Sequence, residues 1–341
     1  ELSEVKQKYA DERRTKVVAG GLKEFKEEDL VPKEETIITL SQSGYIKRVP
    51  PASFKAQRRG GKGLIGSEVG DEDFLAHFIS ADTHDNILFF TDRGRAFQTK
   101  VYEIPAASRI SKGKLIQNFL EIPPEENISA IVAYAPTDNQ QPITNNYLVM
   151  ATKNGVIKKT PIKDFSNVRR SGINAINLQK GDLLKWVKFS SGRDEIILAT
   201  AAGQAIRFKE SQLRPMGRTA GGVKSIRLKS NDFVAGLDII KTSGKLLVVT
   251  ENGFAKQTPL AQYKTQSRGG QGIKTAKITP KTGKIVSSQV IGEEEELLAL
   301  STKGQIIRTK LSDIRVASRA TSGVRIMKLK EGDKIAGVVC L

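Results

Sequence analysis

Six times along the 341-residue chain an apolar run ends in Ser or Thr, two residues intervene, and a glycine follows: Ser41 to Gly44, Thr91 to Gly94, Thr152 to Gly155, Thr200 to Gly203, Thr250 to Gly253 and Ser301 to Gly304. Successive turn glycines are 50, 61, 48, 50 and 51 residues apart. Periods of this size built from strand-like units are the signature of propellers and related radial arrays. The runs before the glycines, such as Ile87-Leu88-Phe89-Phe90 and Leu246-Leu247-Val248-Val249, are almost continuously apolar, which predicts strands buried on both faces.

After each glycine the pattern alternates and is often basic, as in Tyr45-Ile46-Lys47-Arg48, so each unit opens with a hairpin whose turn needs a positive φ. A second glycine recurs 17 to 19 residues later, at Gly63, Gly113, Gly172, Gly221, Gly272 and Gly323, and leads into a third strand such as Val324-Arg325-Ile326-Met327. An Asp-containing turn and a fourth strand complete the unit. Four strands in each of six units predict an all-β disc of six antiparallel blades, spanning roughly 36–85, 86–145, 146–193, 194–243, 244–294 and 295–341. The long second interval is accounted for by a polar, proline-containing stretch, Ala135 to Asn146, expected to loop out as a mobile insertion.

Residues 1–35 do not fit the repeat. Leu2, Val5 and Tyr9 recur at helical spacing among charged residues, predicting a short amphipathic helix to about Arg14, followed by the charged linker Lys23 to Asp29. This segment is expected to be the end of another domain plus a connector.

Composition narrows the partner. Lys and Arg number 55 against 37 Asp and Glu, a net charge of +18, and residues 36–341 hold 47 of the basic and 27 of the acidic side chains. An excess of this size implies a polyanion, nucleic acid first. One cysteine, Cys340, excludes an internal disulfide or a thiolate zinc site within one chain. No apolar run approaches the roughly 20 residues of a membrane span, and the amino terminus has no signal-peptide pattern. A cytoplasmic protein or fragment is expected.

Catalytic groups are scarce. His77 and His84 are the only histidines and lack cysteine or repeated acidic partners, no phosphate-binding Gly-x-x-x-x-Gly-Lys-Ser/Thr run occurs, and Glu293 to Glu296 read as a solvated turn. Trp186, Met216 and Met327 read as packing residues. No catalytic residue, metal site or cofactor is expected in this chain.

The basic residues, in contrast, recur at equivalent places. Three or four positions past the turn glycine stand Lys47, Arg48, Lys158, Lys159, Arg207, Lys256 and Arg308, with Arg95 earlier in the second unit. Around the second glycine stand Arg109, Lys112, Lys114, Arg169, Arg170, Arg214, Arg218, Arg268, Arg315 and Arg319. Radial repetition would place them on a common rim and predicts a belt for duplex DNA. Phosphate contacts along an arc can offset the roughly 1 to 6 kcal/mol of smoothly bending 20 to 30 base pairs. Aromatic residues are only 6% of the chain, which argues against single-strand stacking platforms.

The first unit adds Gln57-Arg58-Arg59-Gly60-Gly61-Lys62-Gly63, a glycine-rich basic loop able to bring backbone N–H groups close to phosphates. The fifth unit approaches it with Ser267-Arg268-Gly269-Gly270-Gln271-Gly272.

The run Gln57 to Gly63 resembles the GyrA box of the family formed by gyrase A and its topoisomerase IV homologue. The hairpin Gly44 to Arg48 is similar to the first hairpin of that family's carboxy-terminal domain, and Glu1 to Thr15 is similar to the segment closing its breakage-reunion core. The resemblance covers essentially the whole chain. It implies a six-bladed β-pinwheel with strands exchanged between blades, which wraps duplex DNA in a positive sense around its basic edge. The holoenzyme would then introduce negative supercoils.

The family's catalytic tyrosine lies in the preceding core, and its ATP and Mg are held by other domains. The implied partners are the rest of gyrase A and gyrase B in a heterotetramer, with the isolated domain monomeric. An intact box favours the gyrase branch over topoisomerase IV, whose box is degenerate or missing. The second unit departs from the pattern, with Phe97 and Gln98 where a basic pair is usual, and some relatives carry an acidic tail beyond the position of Leu341. A protein-interaction propeller outside the topoisomerases is the alternative from another class.

Overall fold

The computed structural model describes residues 1–10, 27–54, 75–108, 110–135, 147–241 and 243–340. The Gln57–Gly63 run, Arg109, most of the 23–29 linker and nearly all of the 135–146 insertion lie outside the described residues.

Six antiparallel sheets follow one another along the chain. Blade one orders Leu75–Asp82, Glu35–Ser41, Tyr45–Val49 and Lys114–Leu115. Blade two orders Ile128–Tyr134, Asn86–Thr91, Arg95–Lys100 and Ile173–Asn174. Blades three, four and five repeat the plan and end on Val223–Lys224, Ile273–Lys274 and Val324–Arg325. Blade six has three strands among the described residues: Ile335–Cys340, Glu296–Ser301 and Ile306–Lys310.

The short strand after the second glycine therefore belongs to the sheet of the preceding repeat. Sequence position alone assigns it to its own unit, whereas hydrogen bonding hands it back one blade, the exchange that the resemblance implies. A single turn of 3-10 helix, such as Glu210–Gln212 or Leu260–Gln262, connects the hairpin to the loop before each donated strand.

The Ser/Thr-x-x-Gly signature has a local cause. At all six turns the glycine N–H donates to the carbonyl of the Ser or Thr, at 3.0 to 3.1 Å. The hydroxyl of that same residue accepts the N–H of the residue after the glycine, as Ser41 does from Tyr45 at 3.1 Å and Thr152 from Val156 at 3.1 Å. Thr91 and Thr152 are fully buried and Ser41, Thr200, Thr250 and Ser301 nearly so, so the hydroxyl satisfies a donor that water cannot reach. In the first five turns the glycine carbonyl then receives the donated strand, as Gly155 O receives Ser225 N at 2.8 Å and Gly253 O receives Ile326 N at 2.8 Å. One motif closes the hairpin and docks the next repeat.

The second glycines answer the same demand from the other side. A Cβ on Gly272, at φ +73, would stand 2.5 Å from the carbonyl oxygen of Ala205. In the fourth repeat the equivalent residue is Gly222, at φ +90, rather than Gly221.

Among the described residues the core is divided rather than single: five apolar clusters lie between successive blades, and the central strands of blades two to five each serve two of them. Ile87 and Phe89 pack toward blade one, Leu88 and Phe90 toward blade three. This is why the runs before the glycines show no polar alternation. The strands at the edge opposite the donated strand, including Ile128–Tyr134, Leu184–Ser190, Val234–Ile240 and Ile285–Ile291, contact one another in series. The blades converge there and diverge toward the donated strands, which form the outer edge.

The leading helix, Leu2–Tyr9, ends sooner than periodicity predicts, and Leu2 and Tyr9 are exposed. No helix among the described residues is long and apolar enough to cross a membrane.

Candidate nucleic-acid interface

The hairpin basic residues divide by depth. Lys47, Lys158, Lys159 and Lys256 are buried, and the structure corrects their reading as rim contacts. Lys158 Nζ donates to the carbonyl oxygens of Gly217, Arg218 and Ala220 at 3.0, 2.7 and 3.2 Å. Lys256 Nζ reaches those of Ser318 and Arg319 at 2.8 and 2.6 Å, and Lys47 Nζ those of Ser108 and Ser111 at 3.3 and 2.7 Å. Burial pushes the Lys158 ammonium down to about 8, with nearby Asp164 opposing the shift and Arg218 adding to it. Lys256 is likewise pushed down to about 8, by burial and then by Arg319. Alternation puts these residues on an outward-looking strand, but exchange covers that strand with the next repeat's loop.

The neighbouring position also binds blade to blade. Lys159 Nζ lies 3.2 Å from the carboxylate of the fully buried Glu210, which also accepts Ser190 Oγ at 2.7 Å. Arg48 Nε donates to Ile104 O at 2.8 Å; Arg207 donates to Leu260 O at 2.9 Å and pairs with Glu195, holding that carboxyl below its ordinary range. Arg95 pairs with Glu126 at 3.2 Å and donates to Ser171 O. Buried Lys159 and the half-buried Arg48, Arg95 and Arg207 fix the segments before the donated strands.

The loops themselves carry the accessible charge. Lys112, Lys114, Arg169, Arg170, Arg214 and Arg315 are exposed, as is Arg308, which pairs with Glu296. Lys112 Nζ sits 4.2 Å from the centre of the Tyr45 ring. Arg218, Arg268 and Arg319, each four residues before the positive-φ glycine of their repeat, are half-buried. Arg268 donates to Lys224 O and Arg319 to Lys274 O, the latter at 3.2 Å.

Sequence reading missed Lys224, Lys274 and Arg325. All three are exposed and occupy the same register on the donated strands, two residues after Gly222, Gly272 and Gly323. That fixed spacing was the available signal.

Elsewhere the chemistry is sparse. His77 is pushed down to about 4 by burial, and His84 Nε2 meets Val31 O at 2.8 Å. No group of three or more His, Cys, Asp or Glu that could hold a metal ion occurs among the described residues.

Strand-exchanged blades, whose loops and donated strands carry exposed basic side chains, define a propeller-class module. Similarity to known proteins is more specific. A family model described as DNA gyrase C-terminal domain, beta-propeller, matches residues 35–82, 85–133, 146–191, 194–241, 244–291 and 295–341, and the chain belongs to that family.

The DNA gyrase A subunit of Staphylococcus epidermidis is 43% identical over 340 residues, covering 99% of this chain. That of Staphylococcus aureus strain MRSA252 is 41% identical over the same length. The chain spans 38% of the length of these relatives. Among solved structures, the C-terminal domain of DNA topoisomerase IV aligns with TM-score 0.75 and 26% identity, covering 91% of this chain and 94% of that one. The DNA gyrase A C-terminal domain aligns with TM-score 0.73 and 24% identity, covering 90% and 99%.

Proposed function

We propose that this chain is the DNA-wrapping module of a gyrase A protein, binding duplex DNA around its outer edge. The observation that carries the reading is the repeated placement of exposed basic side chains on the loops and donated strands of successive blades, combined with membership of the family. Contacts of this kind act on phosphates, which makes binding salt-dependent and largely indifferent to sequence.

The wrap would present a second duplex segment to the strand-passing core of the whole protein, with ATP hydrolysis and DNA cleavage supplied by other domains and by gyrase B. The run Gln57 to Gly63 favours gyrase over topoisomerase IV as the parent enzyme. Residues 36–341 form the wrapping domain in this reading, and residues 1–35 the connection to the core.

Duplexes of graded length test the proposal. Affinity should rise with length until the outer edge is occupied and should fall steeply with salt. Length-independent, salt-insensitive binding would favour the interaction-propeller alternative.

A further inference from the structure

Buried lysines occur in alternate blades. Three positions past the turn glycine stand Lys47, Lys158 and Lys256 in blades one, three and five, whereas Phe97, Ile206 and Ile307 hold that place in the others. Apolar side chains therefore serve the same position. Phe97 packs where Gly172 approaches, and a Cβ on Gly270 would stand 3.7 Å from Ile206 Cδ1. Burying an ammonium there is costly unless it is fully hydrogen-bonded, so packing does not explain the lysines.

Their geometry supplies a reason. An ammonium has three N–H donors, and Lys158 spends them on three carbonyls of one loop, Gly217, Arg218 and Ala220. Lys256 holds Ser318 O, Arg319 O and Thr321 Oγ1, the last at 3.4 Å. In both loops the central carbonyl belongs to the arginine itself. Turning these oxygens inward removes partial negative charge from the side where a phosphate would sit and fixes the backbone from which the guanidinium projects.

We propose that Lys158 and Lys256 are positioning residues for phosphate contacts made by Arg218 and Arg319. The ammonium does not touch DNA; it holds the loop so that the arginine does. This rests on the DNA-binding reading above and adds which buried groups prepare the outer edge for it.

The test is a double-mutant cycle on the full 341-residue chain. Binding to a duplex of about one persistence length, ~150 base pairs, is measured across a salt series. One fewer neutralised phosphate makes the log–log salt slope shallower by about 0.9. Arg218→Ala should show that change, Lys158→Met should match it, and the double variant should lose no more than either single one.

A slope unchanged in Lys158→Met, or an additive loss of about 1.8 in the double variant, would overturn the positioning role. Parent chain and Arg218→Ala behaving alike would instead refute DNA contact by this loop. Should Lys158→Met fail to fold, Lys256→Met with Arg319→Ala runs the same cycle. Lys158→Gln, which keeps two donors, should restore part of the slope.

Discussion

The ammonium of Lys158 lies 2.7 Å from the carbonyl oxygen of Arg218, a residue 60 positions further along the chain in the following repeat. Strand exchange creates this meeting, because the loop that precedes each donated strand lies across the hairpin of the blade before it. The fold thereby converts a basic residue of one repeat into support for a basic residue of the next.

This burial has a pH signature. The Lys158 ammonium is pushed from 10.5 to about 8 in the folded chain, so between these values the unfolded chain holds a proton that the folded chain has released. The cost of burying the charged group is therefore greatest below about pH 8 and is relieved as pH rises toward 10.5. Unfolding free energies of the parent minus those of Lys158→Met should increase over that window. A flat difference would contradict the burial.

The turn glycines should be irreplaceable where the donated strand docks. Gly253 has φ +78, and a Cβ there would meet Met327 O at 2.5 Å, whereas Gly292 has nothing within 4 Å. Gly253→Ala should destabilise by more than about 1 kcal/mol, and Gly292→Ala should stay within roughly 0.5 kcal/mol. Urea titrations of the two variants compare them directly.

The Lys159–Glu210 pair is enclosed between blades three and four. Lys159→Met leaves a buried carboxylate without its cation and should cost about 3 to 5 kcal/mol, while adding Glu210→Leu, which takes the acceptor from Ser190 Oγ, Gly192 N and Asp194 N, should recover part of that loss. Thermal unfolding of the single and double variants measures the recovery. A double variant no more stable than the single one would contradict the account of this pair.

Much of this architecture is legible in the chain. The Ser/Thr-x-x-Gly turns mark the hairpins because a buried hydroxyl and a positive-φ glycine are both needed at each one. Direction is harder to read. Lys158 and Arg214 look equally basic in sequence, yet one points beneath a loop and the other lies exposed, and only the exchanged strand distinguishes them. Lys224, Lys274 and Arg325 leave little trace because a two-residue strand is too short to show alternation. The adjacent glycines Gly221 and Gly222 are indistinguishable until φ is known. The most distinctive motif, Gln57 to Gly63, lies outside the described residues.

The exposed arginines should affect DNA and not folding. Replacing Arg169 and Arg170 together by alanine should shift stability by no more than about 0.5 kcal/mol while making the salt slope for duplex binding shallower by about 0.9 for each phosphate no longer neutralised. A loss of stability with an unchanged slope would assign these residues to the scaffold.

The proposed wrapping of duplex DNA around the outer edge, in the positive sense that the family resemblance implies, is tested most directly by plasmid topology. Nicked circles are ligated with increasing amounts of this chain, and the linking number of the products is read after the protein is removed. A progressive positive shift is predicted. Saturating DNA binding with no shift in linking number would contradict wrapping and leave only a basic surface that holds DNA without bending it into a turn.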